Sequence, residues 1–268
     1  MQVKQNDMSP HDAAAALSWL ADMGVDEVIG EEAINRLAAA SGTAETRPQP
    51  AAVPAAPKTT PAVAAAPSGA MAAASCLSLE DIAAALDLFD ACPLKKTATR
   101  LCFADGNPAA RVMLVGEAPG RDEDIQGKPF VGKSGQLLDR MLAAIGLSRQ
   151  SQDRESAVFI TNTIFWRPPG NRTPTEAETQ MCLPFLLRAI ELQKPDVIVC
   201  LGATPAHRLT GRSDGILKLR GNWMTANVSG RNIPLLPTLH PAYLLRQSAQ
   251  KRLAWRDFLS LRQMLDAH

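Results

Sequence analysis

Four short apolar runs, each the length of one buried strand, restrict this chain to a single class of fold. A strand that is apolar at every position is typical of a parallel sheet with both faces covered. Helical segments separate the runs, as the crossover connections of parallel strands require. We therefore predict an α/β fold: a three-layer α/β/α sandwich with a central, mainly parallel four-stranded sheet. The strands are placed at residues 112–115, 158–161, 196–201 and 233–236, with 223–227 as a candidate edge strand.

Several local signals predict where the helices begin. Ser78 with Asp81 three residues later resembles a capping box and predicts a helix over 79–89. Thr173, Pro174 and Glu176 fit the N-cap, N1 and N3 positions of a helix that continues to about residue 193. Further helices are predicted over 134–145 and 249–265, with a short one after the third strand.

Composition divides the 268 residues into three parts. Residues 1–40 carry two basic and seven acidic residues and are predicted to form a short acidic helical segment. Residues 41–75 are mostly Ala and Pro without an apolar face, which predicts a disordered linker. Residues 76–268 carry 24 basic and 19 acidic residues and are predicted to form one moderately basic domain, which tolerates a polyanionic partner without requiring one.

The sequence contains no sign of export or of a membrane span. No apolar run approaches the roughly 18 residues that cross a bilayer. The first residues are acidic and lack the basic start and long apolar core of a secretory signal. The five cysteines show no disulfide-framework spacing. We expect a cytoplasmic protein.

The first strand leads into the stretch on which the functional interpretation depends. It is followed by Gly116-Glu117-Ala118-Pro119-Gly120, a turn that ends the strand sharply, then by three acids and by Pro129-Phe130-Val131-Gly132. In an open α/β sheet, ligands bind beyond the carboxyl ends of the strands. This stretch is a candidate floor for a flat, polar ligand; the alternative is a turn with a purely structural role.

The other three strands also end in polar residues. Thr161-Asn162 ends the second strand, Gly202-Ala203-Thr204 follows the third, and Thr238-Leu239-His240-Pro241-Ala242 follows the fourth. If the sheet is parallel, all four ends meet at one rim. The sequence therefore predicts a polar site at that rim.

Four motifs in this order and spacing resemble the uracil-DNA glycosylase superfamily, and most closely its family 4. They are GEAPGRDEDIQGKPFVGKSG, ITN with RPPGNRTPT, VIVCLGAT and TLHPAYLLR. The resemblance implies an enzyme that hydrolyses the N-glycosidic bond of flipped-out uracil in DNA. The product is an abasic site, and the reaction initiates base excision repair.

The resemblance also implies roles for residues in the uracil pocket. Phe130 would stack on the flipped base, with Ala118 beside it, and Asn162 would read the pyrimidine edge, because one amide can accept from N3–H or donate to O4. His240 would donate a hydrogen bond to uracil O2 as negative charge develops there. The alternatives are a core Phe, an Asn that completes a turn and a His that caps a loop.

Two carboxylates, Glu117 and Glu123, match positions that the family uses for activity. Each could place the water that attacks C1′ or stabilise the oxocarbenium-like sugar. The sequence does not separate these roles, and we group both residues with His240 as catalytic.

DNA contacts are implied at three places. Lys133 and Ser134 lie at a predicted helix N-terminus, a natural phosphate site, and Arg172 lies in the second motif. Leu244, Leu245 and Arg246 resemble the loop that enters the duplex behind the flipped base. We expect a monomer on single- or double-stranded DNA, with a protein partner for residues 1–40 as an open expectation.

The chain departs from the family at its iron–sulfur positions. Family 4 members usually carry a cluster on four cysteines, whereas here only Cys92 and Cys182 remain, and Phe89 and Trp166 replace the other two. Cluster iron is typically held by four thiolates. We predict no cofactor and no metal; a [4Fe–4S] cluster is the less favoured alternative.

Two rival functions share the same residues. One is a catalytically silent protein of this fold that binds uracil or abasic DNA. The other is an enzyme that acts on free deoxyuridine nucleotides. The four polar residues at the rim favour catalysis over the first rival, and the apolar-then-basic loop at 244–246 favours a duplex over a free nucleotide.

Overall fold

The computed structural model describes residues 69–267, which lie within the larger of two compact units of the chain, Pro61–His268. The helices predicted within residues 1–40 lie outside the described residues, as does most of the predicted linker. Its last residues are described, and Gly69–Ala74 form a helix with Ala73 buried. Because this helix packs on the rest of the domain, the folded part begins no later than Gly69 rather than at residue 76.

The described residues form helices and strands in the alternating order that the sequence predicts. In chain order the elements are α1 Gly69–Ala74, α2 Leu79–Leu88, β1 Ala104–Gly106, β2 Val112–Gly116, α3 Arg121–Gln126, α4 Lys133–Ala143, β3 Val158–Asn162, α5 Glu176–Gln193, β4 Val197–Leu201, α6 Ala203–Thr210, α7 Ile216–Leu219, β5 Met224–Val228, β6 Arg231–Thr238, α8 Pro241–Arg246 and α9 Lys251–Asp266.

Within residues 69–267 the sheet has six strands, in the order β1-β3-β2-β4-β6-β5. The four predicted strands form its parallel centre, β3-β2-β4-β6. Two short antiparallel strands flank them, β1 on β3 and β5 on β6. The sheet is thus mainly parallel, as predicted, but two strands wider; β5 is the anticipated edge strand, whereas the sequence ADG of β1 has none of the β-branched residues that mark a strand.

Side chains of the central strands alternate between two apolar layers. Met113 and Val115 pack with α1, α2, α5 and α6 on one face. Val112 and Leu114 pack with α4 and α9 on the other. Both faces are therefore covered by helices, which confirms the α/β/α sandwich.

The start of α5 differs from the sequence prediction. The N-cap is Thr175 rather than Thr173, and its hydroxyl accepts a hydrogen bond from the Glu178 N–H at 3.2 Å. The Glu178 carboxylate accepts from the Thr175 N–H at 2.7 Å, which completes a capping box two residues beyond the predicted one. Both Thr-x-x-Glu spacings are present in the sequence. Glu178 binds Arg172 as well as the N-cap residue, whereas the carboxylate of Glu176 pairs with Arg208 instead.

The capping box predicted at Ser78 and Asp81 is confirmed, with the Asp81 N–H donating to the Ser78 hydroxyl at 3.0 Å. Within residues 69–267, no helix has the length and hydropathy needed to cross a membrane.

Candidate active site

The strand ends meet at a pocket of about 430 Å³, here called the rim pocket. It opens where β2, β3 and β6 end, which is where the sequence places the polar residues. A second hollow of about 390 Å³ lies between β5, β6 and α9, but its lining lacks the polar side chains of the strand ends. The rim pocket is lined by Glu117, Ala118, Pro119, Gly120, Glu123, Phe130, Ser134, Asn162, Pro168, Asn171, Arg172, Thr173, Pro174, His240, Ala242, Tyr243 and Arg246.

Asn162 provides a buried amide at the floor of the pocket. It is the last residue of β3 and pairs in register with Gly116, the last residue of β2. The side chain is 1% exposed, and its Oδ1 atom has no hydrogen-bond partner. A buried polar atom without a partner costs about 1–3 kcal/mol. Such an atom facing a pocket indicates that a ligand supplies the missing donor.

Gly116 allows the amide and the aromatic ring to meet. A Cβ at residue 116 would lie 2.3 Å from Asn162 Oδ1 and 2.6 Å from the Phe130 ring. No other residue type therefore fits at the end of β2 while both side chains keep their places. The floor of the pocket therefore depends on the absence of a side chain at Gly116 as much as on the side chains of Asn162 and Phe130.

Phe130 is held with its ring in the pocket. The residue is 5% exposed and has a backbone φ of +54°, which is uncommon for a residue with a side chain. Its ring centre lies 5.4 Å from that of the His240 imidazole, with 32° between the planes. Together with half-buried Ala118, the ring forms an apolar surface beside the Asn162 amide.

The carboxylate of Glu123 accepts three hydrogen bonds from backbone N–H groups. Its Oε2 atom accepts from the Gly120 N–H at 3.1 Å, and its Oε1 atom accepts from the N–H groups of Val131 and Gly132 at 3.0 and 2.9 Å. The carboxylate therefore joins the start of α3 to the turn that carries Phe130. This geometry favours a positioning role over the water-placing role expected from the sequence.

Glu117 also lines the pocket, and its carboxylate is not held by the backbone amides that bind Glu123. It is half-buried, and burial raises the pKa of its carboxyl above the usual value, partly opposed by a hydrogen bond from the Thr204 hydroxyl. Thr204 follows β4, so this contact crosses the gap between the ends of β2 and β4. Glu117 is thus placed as a base or as a negative charge beside a reacting cation.

His240 is fixed in one tautomer by the helix that it caps. Its Nδ1 atom accepts a hydrogen bond from the Ala242 N–H at 3.1 Å, so the neutral ring carries its proton on Nε2. Burial, and then the nearby charge of Arg246, lowers the pKa of His240 to about 4. The ring is therefore a neutral Nε2–H donor at physiological pH.

Of the residues expected to bind DNA, Ser134, Arg172 and Arg246 line the rim pocket, whereas Lys133 and Leu244 do not. Lys133 is exposed and Ser134 half-buried in the first turn of α4, as predicted. Arg246 is exposed at the mouth. Arg172 lines the mouth but makes a two-fold ion pair with Glu178, at 2.6 and 2.9 Å, so a phosphate would have to compete with that carboxylate.

The expectation that Leu244 enters the duplex is wrong. The structure buries it completely, in a cluster with Leu137, Leu239 and Ala254. A side chain packed on this cluster cannot enter a duplex. The neighbouring Leu245 is 44% exposed and is the apolar residue that α8 presents to solvent.

The residues at the family's cluster positions pack as an apolar core. The Phe89 ring makes an edge contact with that of Phe185, centres 5.1 Å apart, and Trp166 is 2% exposed. A hydrogen bond between the two remaining thiols lowers the pKa of Cys92 and raises that of Cys182. Within residues 69–267, no group of three or more His, Cys, Asp or Glu side chains is arranged to hold a metal ion. The residues present do not fit a four-thiolate cluster.

Three further residues contact this region, and nothing in the sequence indicates that they do. Thr204 appears in the sequence only as part of a strand-end turn, and Tyr243 only as part of a motif. Both reach the site through topology: Tyr243 lines the pocket, and Thr204 binds Glu117. Arg149, which binds the turn that carries Phe130, lies in a loop with no recognisable sequence signal.

Comparison with known proteins agrees with this geometry. The family model of the uracil DNA glycosylase superfamily matches residues 103–259. The type-4 uracil-DNA glycosylase of Thermotoga maritima is 42% identical over 165 residues, 60% of this chain and 80% of that protein. Those of Saccharolobus solfataricus and Archaeoglobus fulgidus are 39% and 40% identical, over 66% and 63% of this chain and 81% and 83% of theirs.

Proposed function

This chain belongs to the uracil DNA glycosylase superfamily, and from that premise we propose that it is a monofunctional uracil-DNA glycosylase. In the proposed reaction, water hydrolyses the N-glycosidic bond of a flipped-out deoxyuridine in DNA. The products are free uracil and an abasic site, the starting point of base excision repair. The observation that carries the proposal is the unpartnered amide oxygen of Asn162, buried in the same pocket as the Phe130 ring and His240.

The pocket floor is suited to uracil and unsuited to cytosine. Uracil presents an N3–H donor and an O4 acceptor, which match the Oδ1 and Nδ2 atoms of Asn162. Cytosine presents an acceptor at N3 and a donor at its 4-amino group, so both pairs would be mismatched in a buried site. A site built around such hydrogen bonds rejects a mismatched analogue by about 10⁴-fold or more. Phe130 adds a stacking surface for the extruded base.

Departure of the base is assisted by His240. As the bond from C1′ to N1 breaks, its electron pair leaves with uracil, and negative charge spreads onto O2. The Nε2–H of a neutral imidazole, fixed by the hydrogen bond from Ala242, can stabilise that charge without transferring its proton. The low pKa of His240 therefore suits this role.

Glu117 acts on the sugar side of the bond. An ionised carboxylate near C1′ stabilises the positive charge of the oxocarbenium-like transition state and can orient or deprotonate the attacking water. The water oxygen bonds to C1′, and the proton that it loses passes to Glu117 and from there through solvent to the released uracil anion. C1′ becomes the hemiacetal carbon of the abasic deoxyribose, which stays in the DNA strand. Glu123 supports the turn that carries Phe130 and takes no direct part.

We also propose that the protein works without an iron–sulfur cluster, because Phe89 and Trp166 fill the space that two ligands would need. Purified protein is expected to contain less than about 0.1 iron per chain by metal analysis, since two thiolates do not hold a cluster that needs four. Iron and acid-labile sulfide near four atoms of each per chain would contradict this.

The function test uses a labelled oligonucleotide with a single uracil, alone and annealed to its complement. Incubation followed by alkali is expected to cleave the strand at that position, since alkali breaks abasic sites. An oligonucleotide with cytosine at the same place should stay intact. Because phosphate contacts supply much of the affinity for DNA, binding of the oligonucleotide should weaken steeply between 50 and 200 mM salt, by about 10³-fold if six phosphates are contacted.

Each rival function predicts a different result. Binding of the uracil strand without cleavage would favour the silent binding protein. Turnover of free deoxyuridine nucleotides that is insensitive to salt would favour the nucleotide enzyme. Monomeric action on DNA, a protein partner for residues 1–40 and a cytoplasmic location stay predictions from the sequence.

A further inference from the structure

We propose that Arg149 is a positioning residue of the uracil site, which presets the Phe130 ring for stacking on the base. The inference rests on the proposed function. Arg149 lies outside the rim pocket, in the connection between α4 and β3, and its side chain is only 9% exposed. It acts on the pocket through the backbone of the turn that carries Phe130.

The guanidinium group binds the two carbonyl groups at the start of that turn. Its Nη1 atom donates to the Pro129 carbonyl at 3.0 Å, and its Nη2 atom donates to the Phe130 carbonyl at 2.9 Å. Glu123 binds the two N–H groups that follow, those of Val131 and Gly132. A cation on two carbonyls and an anion on two amides thus hold four consecutive residues from opposite sides.

The turn needs such support because its backbone is unusual. Phe130 has a φ of +54°, in a region that residues with a side chain seldom occupy. Its carbonyl also packs against the first turn of α4, where a Cβ on Gly135 would lie 1.7 Å from the carbonyl oxygen. A residue in this conformation persists only where its surroundings hold it, and Arg149 supplies a contact on the carbonyl of Phe130 itself.

Two carboxylates fix the guanidinium in turn. Asp139 on α4 accepts from its Nε atom at 2.8 Å, and Asp105 on β1 accepts from Nη1 at 3.2 Å. Four donor contacts spread over one rigid plane are beyond a lysine, whose ammonium is a single point with three donors. The arrangement therefore requires arginine in particular, which makes Arg149→Lys an informative change.

The test is a double-mutant cycle between Arg149 and Phe130, measured on the uracil oligonucleotide. Arg149→Lys is expected to lower kcat about tenfold, at the low end of what a base–aromatic stack supplies. KM for DNA should change little, because phosphate contacts dominate the binding of DNA. In a Phe130→Ala background, where there is no ring to position, the same change should cost less than about twofold.

Controls separate positioning from a loss of folding. Arg188→Lys alters a similar arginine, which donates to the Cys76 carbonyl at 2.9 and 2.7 Å and pairs with Glu191, but far from the pocket in sequence and outside its lining. It should leave kcat within about twofold. If Arg149→Lys does not fold, Asp139→Asn, which removes only the carboxylate on Nε, should give a smaller loss with the same dependence on Phe130.

The outcomes are distinguishable. Wild-type protein that does not cleave the uracil strand refutes the proposed function. Active wild type with equal losses from Arg149→Lys in both backgrounds, or a loss in KM alone, refutes the positioning role. A tenfold loss in kcat that disappears without the Phe130 ring supports it.

Discussion

Asn162→Ala is expected to lower kcat/KM for uracil excision by about 10³-fold, because it removes both hydrogen bonds that recognise the pyrimidine edge. The folded protein should not lose stability in proportion. In the wild type, the Asn162 Oδ1 atom is buried without a partner, which destabilises the folded protein. The substitution removes this cost, and the small cavity that it leaves offsets part of the gain. The measurement pairs steady-state kinetics on the uracil oligonucleotide with a thermal unfolding curve.

The control for this variant is Asn227→Ala. Asn227 lies on the edge strand β5, exposed, and its Nδ2 atom donates to Asn232 Oδ1 at 2.8 Å. Its removal should leave kcat/KM within about twofold. If Asn162→Ala retained more than a tenth of wild-type activity, the amide would not be the group that reads the base. The rim pocket would then need another donor and acceptor.

The centre of the sheet could be predicted because its signal is local. Three of the four parallel strands, β2, β3 and β4, are buried along their whole length, and their short apolar runs bounded by turn residues are typical of such strands. The edge strands carry weaker signals, since β1 is held to β3 by backbone pairing and its sequence, ADG, has none of the residue types that favour strands. The α5 N-cap differs from the prediction because two Thr-x-x-Glu signals are equivalent in sequence. In the structure Glu176 pairs with Arg208 on α6, and Glu178 is left to cap the helix and to bind Arg172.

Most residues that line the rim pocket were named from the sequence, but the contacts that distinguish one from another were not. Gly116 and Asn162 follow from the strand ends, because parallel strands in register bring them together. Glu117 and Glu123 look alike in sequence, and only the contacts show that one faces the pocket while the other binds three backbone amides. Leu244 and Leu245 are likewise adjacent and chemically equal, and the direction of one helical turn buries the first and exposes the second.

These differences share a physical cause. The residues at the strand ends supply the polar groups of the pocket, and their types can be read directly from the sequence. Which of two like residues points inward depends on helix phase and on partners from distant parts of the chain. Arg149 is the extreme case, because its four contacts come from β1, α4 and the turn that carries Phe130, between 10 and 44 residues away in sequence.

His240→Ala is expected to lower kcat by about 10²–10³-fold, with KM for DNA nearly unchanged, because the lost Nε2–H bond forms only as charge develops on the leaving uracil. His207→Ala is the matched control: its Nε2 atom lies 2.8 Å from the Asp214 carbonyl, outside the pocket lining, and its loss should change kcat less than twofold.

The pH profile distinguishes a neutral donor from a charged one. The folded-state pKa of His240, about 4, lies below the ordinary value of 6.5, so the neutral form persists when the pH falls below 6.5 and is lost only near 4. Wild-type kcat should therefore show no His240 limb between pH 5.5 and 8.5. Activity should instead fall on the acid side as Glu117 protonates, at a pKa raised above 4.5 by burial, and Glu117→Gln should abolish that limb. A limb near pH 6.5 that disappears in His240→Ala would show that the active imidazole is charged, and the electrostatic role derived from the Ala242 hydrogen bond would be wrong.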